Sequence, residues 1–365
     1  MAKRIMRMAS IMAAFAVGFS AAATSAHATV TFSTFVDATD ITAAYGGVAQ
    51  NPIAFNYTGI GFIGSVYLGA DNSQLYSTDL SGGSVAKFGQ PIPGFSGEVV
   101  IGVGLGQAGF AAGSVYAGNG AGNQIYRVPS SGAPVLFGTT GNSENIRQIF
   151  FDPGSSFGGE MLVSTSSGRI YSFDSAGTPT LLASVGYDVE GMDIASSKYG
   201  QYAGYLLVTS ETAQKIFAIS PGGVVTPLDL LDSSGASTTL PLAETVSVVP
   251  LDFGVSGNPL EGFYVANYPV NIQKAGDTSQ FSSYLGDAIV TGEYSANSPL
   301  WDLMYNGDIA NTFTVTQIGT LPNQSEDGIF VTAQRIEDIT VPEPASLALL
   351  GIGLAAIGLS RRRIR

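Results

Sequence analysis

From residue 29 to residue 341 the chain alternates apolar runs of four to eight residues with Gly, Asn, Asp and Pro. Runs of that length, rich in Val, Ile, Thr and Tyr and closed by turn residues, predict β-strands, and the body shows little sustained helical periodicity. The strands come in copies. Gly64-Ser-Val-Tyr-Leu-Gly followed by Gln74-Leu-Tyr-Ser-Thr-Asp returns as Gly113-Ser-Val-Tyr-Ala-Gly with Gln124-Ile-Tyr-Arg-Val-Pro. Gly159-Glu-Met-Leu-Val-Ser with Arg169-Ile-Tyr-Ser-Phe-Asp repeats it, as does Gly204-Tyr-Leu-Leu-Val-Thr with Lys215-Ile-Phe-Ala-Ile-Ser. Each copy predicts a hairpin, and its second strand carries an aromatic in register: Tyr76, Tyr126, Tyr171 and Phe217, spaced by 50, 45 and 46 residues. A looser copy begins at Glu261-Gly-Phe-Tyr-Val-Ala. Between the hairpins lies another recurring strand that opens on a glutamate, at Glu98, Glu144, Glu190 and Glu244, with Glu326-Asp-Gly-Ile-Phe-Val as one more candidate.

A repeat of about 46 residues with several short strands per unit matches the blade of a β-propeller, whose sheets pack face to face around a central channel. The expected fold class is therefore all-β, with six blades at residues 50–97, 98–143, 144–189, 190–243 and 244 to about 310, and a last one joining 311–341 to the strand Val30–Val36. Placing the first and last strands in one blade closes the ring without exposed edges. Five or seven blades are the alternatives because residues 267–310 are irregular, and a β-sandwich or a parallel β-helix is the alternative architecture because the repeats are inexact. A sandwich needs no such repeat, and a β-helix shows a shorter one. The repeat pattern resembles strand-rich propellers of the NHL and gluconolactonase-like kind, a resemblance of pattern only.

The two ends read differently from the body. Lys3, Arg4 and Arg7, an apolar stretch from Ile11 to Ala23 and Ala26-His27-Ala28 have the order of a signal peptide, so residues 1–28 are expected to be removed by signal peptidase and the mature chain to begin at Thr29. At the other end, Pro342-Glu343-Pro344 cannot continue a helix easily and holds Glu343 in extended backbone. The uncharged apolar residues 345–360 would rise roughly 24 Å as a helix, slightly short of the usual bilayer span. Arg361, Arg362 and Arg363, with Arg365 beyond, supply the positive charge that stays on the cytoplasmic side. This order resembles the PEP-CTERM sorting signal of Gram-negative bacteria. The resemblance implies recognition of Pro342, Glu343 and Pro344 by an exosortase. It also implies a membrane helix that serves as an inner-membrane intermediate, and delivery to the cell surface or to a biofilm and exopolysaccharide matrix.

Charge and composition narrow the chemistry. The body holds eight Lys and Arg against 27 Asp and Glu, a net charge of −19, which repels nucleic acid and anionic lipid and attracts cations. The chain has no cysteine, and its single histidine, His27, falls in the segment expected to be removed. Ser-His-Asp and Cys-His nucleophiles and His or Cys zinc sites are thereby excluded from the body, which leaves carboxylates, Tyr, Lys, Arg and oxygen-ligated metals. Gly104-Leu-Gly-Gln-Ala-Gly109 matches a dinucleotide-binding string but leads into a hairpin instead of a helix. The candidate site is the set Glu98, Glu144, Glu190 and Glu244. On innermost strands these carboxylates would converge at one mouth of the channel and hold Ca²⁺ or raise one another's pKa; gluconolactonase-like propellers place a metal there. Two functions stand: an exported structural or binding protein, and a metal- or carboxylate-dependent enzyme acting on a sugar, lactone or glycan. Ligand contacts from Asp71-Asn72, Asp302, Asp308 and Glu326-Asp327 compete with ordinary turn chemistry.

Overall fold

The computed structural model describes residues 29–67 and 74–340; the segment 1–28 read as a signal peptide, the pair Asp71-Asn72 and the tail with Pro342, Glu343, Pro344, the apolar run and the arginines lie outside those residues. The chain enters through β1 (Phe32–Val36) and a short helix, α1 (Ala38–Ala44), whose first turn is capped by Asp37 accepting from the Thr39 N–H at 2.7 Å.

Four regular blades follow, each a four-stranded antiparallel sheet. The first is β2 (Pro52–Tyr57), β3 (Phe62–Val66), β4 (Leu75–Thr78) and β5 (Ala86–Phe88), and the second is β6 (Val100–Val103), β7 (Val115–Gly118), β8 (Gln124–Val128) and β9 (Val135–Thr139). The third is β10 (Ile146–Phe151), β11 (Met161–Thr165), β12 (Arg169–Phe173) and β13 (Pro179–Ser184). The fourth is β14 (Met192–Ile194), β15 (Leu206–Ser210), β16 (Lys215–Ile219) and β17 (Val225–Pro227).

Beyond the fourth blade the chain interleaves two sheets. After β18 (Leu230–Leu231) and β19 (Ala243–Val248) it crosses to the sixth blade, makes β20 (Gly262–Tyr268) and β21 (Asn271–Ala275), and returns for β22 (Ala288–Gly292), β23 (Ser298–Tyr305) and β24 (Phe313–Leu321). Blade five is therefore β19-β22-β23-β24-β18, and blade six is β25 (Gln324–Val331), β20, β21 and β1. The expected boundaries are corrected here: the Glu261 hairpin belongs to the last blade, and 311–321 belongs to the fifth. Closure does bring the last strand, β25, and the N-terminal β1 into one blade, as the sequence predicted, with β20 and β21 between them. An eight-residue helix, α2 (Ala333–Thr340), then occupies the end of the stretch assigned to the last blade.

Six inner strands form the ring: β2 packs on β6, β6 on β10, β10 on β14, β14 on β19, β19 on β25 and β25 on β2. The apolar core lies between neighbouring sheets. Leu105, Phe110, Tyr116, Ile149 and Phe173 fill the space between blades two and three, and Leu162, Ile170, Met192, Val208 and Phe217 the space between three and four. The in-register Tyr76, Tyr171 and Phe217 are buried in this packing. Gly64 faces Tyr76 across β3 and β4, where an added Cβ would stand 2.1 Å from the ring, so the glycine makes room for the aromatic. All inner strands run in one sense. One face of the disc thus carries their starts and the other their ends.

Candidate functional site

At the mouth where the inner strands start, Glu98 and Glu190 reach Arg147, the second residue of β10, with Arg147 Nη1 2.6 Å from Glu98 Oε2 and Nε 3.4 Å from Glu190 Oε1. Burial alone would lower the arginine's pKa, but Glu190, Glu98, Glu244 and Asp188 hold it above its ordinary value. Glu244, on β19, is buried, and no hydrogen-bond donor among the described residues reaches its carboxylate. Burial pushes its pKa up, and the surrounding Glu190, Glu326, Glu211 and Glu293 push it further. Gly191 permits this crowding: a Cβ there would stand 2.5 Å from the Val246 N–H nitrogen, so only glycine lets β14 close on β19 beside Glu190.

Three acids that sequence reasoning missed complete this mouth. Asp188, Glu190 and Glu211 each present a carboxylate oxygen within 4.8 Å of the others, and so do Glu211, Glu244 and Glu293. One Glu211 oxygen is buried without a hydrogen-bond partner, and desolvation first, then Glu293, raises the Glu211 pKa. Carboxylates only accept. Neighbours this close repel one another when ionised, a repulsion that a shared proton or a bound cation relieves. Calcium–oxygen bonds of about 2.4 Å would let one ion bridge oxygens roughly 4.8 Å apart, so the donor set fits a hard divalent cation. Glu326, near the start of β25, also has its pKa raised, by burial and by Glu293, Glu98 and Glu190. Glu211 and Glu293 were legible as acids in the turns after β15 and β22, but only the closed ring brings those turns together.

Glu144 is placed differently from the other three predicted glutamates. It turns into its own blade and accepts from Thr165 Oγ1 at 3.0 Å, Tyr171 Oη at 2.9 Å, Arg169 Nη1 at 3.3 Å and, at short range, Ser167 Oγ. Burial works against ionisation here, yet the hydroxyl donors and Arg169 hold its pKa below the usual value. In the next blade Asp188 takes the hairpin role, accepting from Ser210 Oγ at 2.8 Å and the Thr212 N–H at 3.2 Å, which frees Glu190 to face the lumen. The expectation that all four glutamates converge is corrected in this respect: Glu98, Glu190 and Glu244 gather, and Glu144 does not.

The other mouth is stoppered. α2 follows β25 directly and lowers Arg335 into the channel, where its Nη2 donates to Asn56 Oδ1 at 2.6 Å. Burial lowers the Arg335 pKa to about 10, against the pull of Asp193, Asp327 and Asp338. Asp193 accepts from the Val248 N–H at 2.6 Å and the Ile194 N–H at 2.7 Å, and Asp327 from the Phe55 N–H at 3.0 Å, so each ties its strand to the next blade. Burial still raises them, to about 7 and about 6. Asp327, read in sequence as a turn residue, is thus a lumen residue, whereas Asp302 lies buried in blade five and Asp308 in an exposed turn with Tyr305 and Gln201. The cavity between the mouths has a volume of about 400 Å³, with Val100, Ile194, Val248 and Ile329 in its wall.

The model of the PEP-CTERM protein-sorting motif matches residues 340–363. The tail carries a PEP-CTERM sorting motif. It implies processing by exosortase, export and cell-surface sorting in bacteria. No curated protein sequence matches the chain. Among solved structures the chain is similar to virginiamycin B lyase from Staphylococcus aureus, at 12% identity over 80% of this chain and 88% of that one, with a TM-score of 0.47. A chain of a nidogen/laminin complex is similar at 10% identity over 77% and 84%, TM-score 0.47, and a putative gluconolactonase at 9% over 81% and 83%, TM-score 0.46. These likenesses concern the β-propeller fold. Among the described residues no helix is long and apolar enough to cross a membrane.

Proposed function

We propose that the body is a surface-displayed binding or structural propeller of an extracellular matrix, and that its acidic mouth holds a divalent cation, Ca²⁺ being the simplest. The observation that carries the cation is the buried Glu211 Oε1, which has no hydrogen-bond partner and belongs to a group in which Glu211, Glu244 and Glu293 present oxygens within 4.8 Å of one another. Glu98 and Glu190 flank the ion through Arg147, Glu211, Glu244 and Glu293 supply ligand oxygens, and Glu144 supports the third blade. A matrix exopolysaccharide is the partner suited to such a site, because sugar hydroxyls and carboxylates complete the oxygen shell of a calcium ion that keeps open positions. The signal peptide, the membrane helix at 345–360 and the stop signal Arg361, Arg362 and Arg363 belong to the same proposal, as do passage through the inner membrane and a Gram-negative host. The second reading, an enzyme acting on a sugar, lactone or glycan, draws on the same raised carboxyls, since one kept protonated can serve as a general acid.

Calcium decides between these and a purely structural mouth. In a thermal melt at pH 8, millimolar Ca²⁺ is expected to raise the melting temperature of the wild type by several degrees, as ligand linkage requires, and to leave a Glu211→Gln, Glu244→Gln double variant unmoved. Equal response of both proteins would remove the site from this mouth. Turnover of a lactone or glycan that is lost in the same variant would favour the enzyme.

A further inference from the structure

The stoppered face is also the face from which the sorting segment leaves. α2 is held there by Ile336, buried, and by Ile339, which packs between the first two blades and stands against Gly59 and Gly113 in the turns at the strand ends. Arg335 anchors it in the lumen, and the Ala333 N–H donates to Glu261 Oε1 at 3.2 Å. The helix ends at Thr340, where the PEP-CTERM match begins. Ala345, the first residue of the apolar run, follows five residues later. Extended chain covers at most about 3.5 Å per residue, so the run starts within about 18 Å of the docked helix. A second observation concerns the rim. The four most exposed large apolar side chains among the described residues, Ile309, Ile60, Val255 and Val224, all stand on turns at the strand-end face.

We propose that α2 orients the propeller on the membrane before exosortase acts, with the stoppered face and its aliphatic turn tips against the lipid surface and the acidic mouth turned away. The orientation rests on the reading of residues 345–360 as a temporary anchor, and is independent of what the mouth binds. It follows that exosortase meets its motif in the narrow gap between that face and the lipid. Cleavage beyond α2 then leaves the stopper in the released body.

The chain has no cysteine, so single reporters can be placed without background. Ser143 and Ser155 are both exposed in blade three, at the strand-start and strand-end faces respectively. The full chain carrying Ser143→Cys or Ser155→Cys with an environment-sensitive fluorophore is reconstituted in phosphatidylcholine vesicles containing brominated lipid. Quenching at Ser155→Cys several-fold above that at Ser143→Cys is expected, and adding Ile339→Asp, which undocks α2, should abolish the difference. Equal quenching at both positions, greater quenching at Ser143→Cys, none at either, or a difference that survives Ile339→Asp overturns the proposal. Co-sedimentation separates the causes: a chain that fails to pellet with vesicles lacks the anchor, and one that pellets without the quenching difference lacks the orientation.

Discussion

At the mouth where the inner strands start, Glu190, Glu211, Glu244, Glu293 and Glu326 crowd together and, among the described residues, Arg147 is the cation that pairs there. Where the strands end, Asp193 and Asp327 are no better solvated, yet each accepts from the backbone of the next blade and faces Arg335. Burial raises carboxyl pKa values at both. The difference lies in donors. The strand-end mouth gives its acids backbone N–H donors as well as a guanidinium, whereas at the strand-start mouth Arg147 pairs with Glu98 and Glu190 and the remaining acids repel one another, an arrangement that costs stability unless a proton or cation intervenes. A protein can tolerate that cost where it serves binding, because a ligand that fills the gap regains it.

The stoppered mouth should be the more fragile under substitution. Arg335→Ala is expected to cost about 3 kcal/mol or more in urea unfolding, since it strips a buried guanidinium from Asp193, Asp327 and Asn56. A cost below about 1 kcal/mol would mean that the backbone donors alone satisfy those acids.

That contrast was only partly legible in the sequence. The hairpins carrying Tyr76, Tyr126, Tyr171 and Phe217 gave the first four blades because each keeps its strands consecutive. Blades five and six resisted because β20 pairs with β25, whose first residue lies 56 positions beyond the last of β20, and no local pattern shows such a partner. α2 escaped because two apolar residues at helical spacing, Ile336 and Ile339, are too short a signal beside a strand. Glu98, Glu190 and Glu244 were visible by register. Glu144 shares that register, but the donors that turn it aside, Thr165, Ser167 and Tyr171, come from the adjoining hairpin, and register says nothing of where a side chain finds its hydrogen bonds.

A smaller effect sharpens the same point within one repeat position. Glu144→Gln is expected to cost roughly 1 kcal/mol, the scale of weakened charge-assisted hydrogen bonds. Its pH dependence should have the sign opposite to that of the mouth. The folded pKa of Glu144 lies below 4.5, so its contribution is present above the unfolded value and is lost as pH falls through the folded one. Urea unfolding of wild type and Glu144→Gln at pH 7 and pH 3 checks this, and a difference that grows on acidification would contradict the assignment.

The most direct test of the unsatisfied mouth is the stability of the body between pH 5 and pH 8 with divalent cations chelated. Burial and the neighbouring acids push Glu211 up from 4.5 to about 8 and Glu326 to about 9, so across this window the unfolded chain has lost protons that the folded chain keeps, and stability must fall as pH rises. Each carboxyl held neutral contributes a slope of up to about 1.4 kcal/mol per pH unit. The account predicts a loss of at least about 2 kcal/mol from pH 5 to pH 8 in urea unfolding, with a shallower slope in Glu244→Gln. A flat or rising profile, or an unchanged slope in that variant, would contradict it.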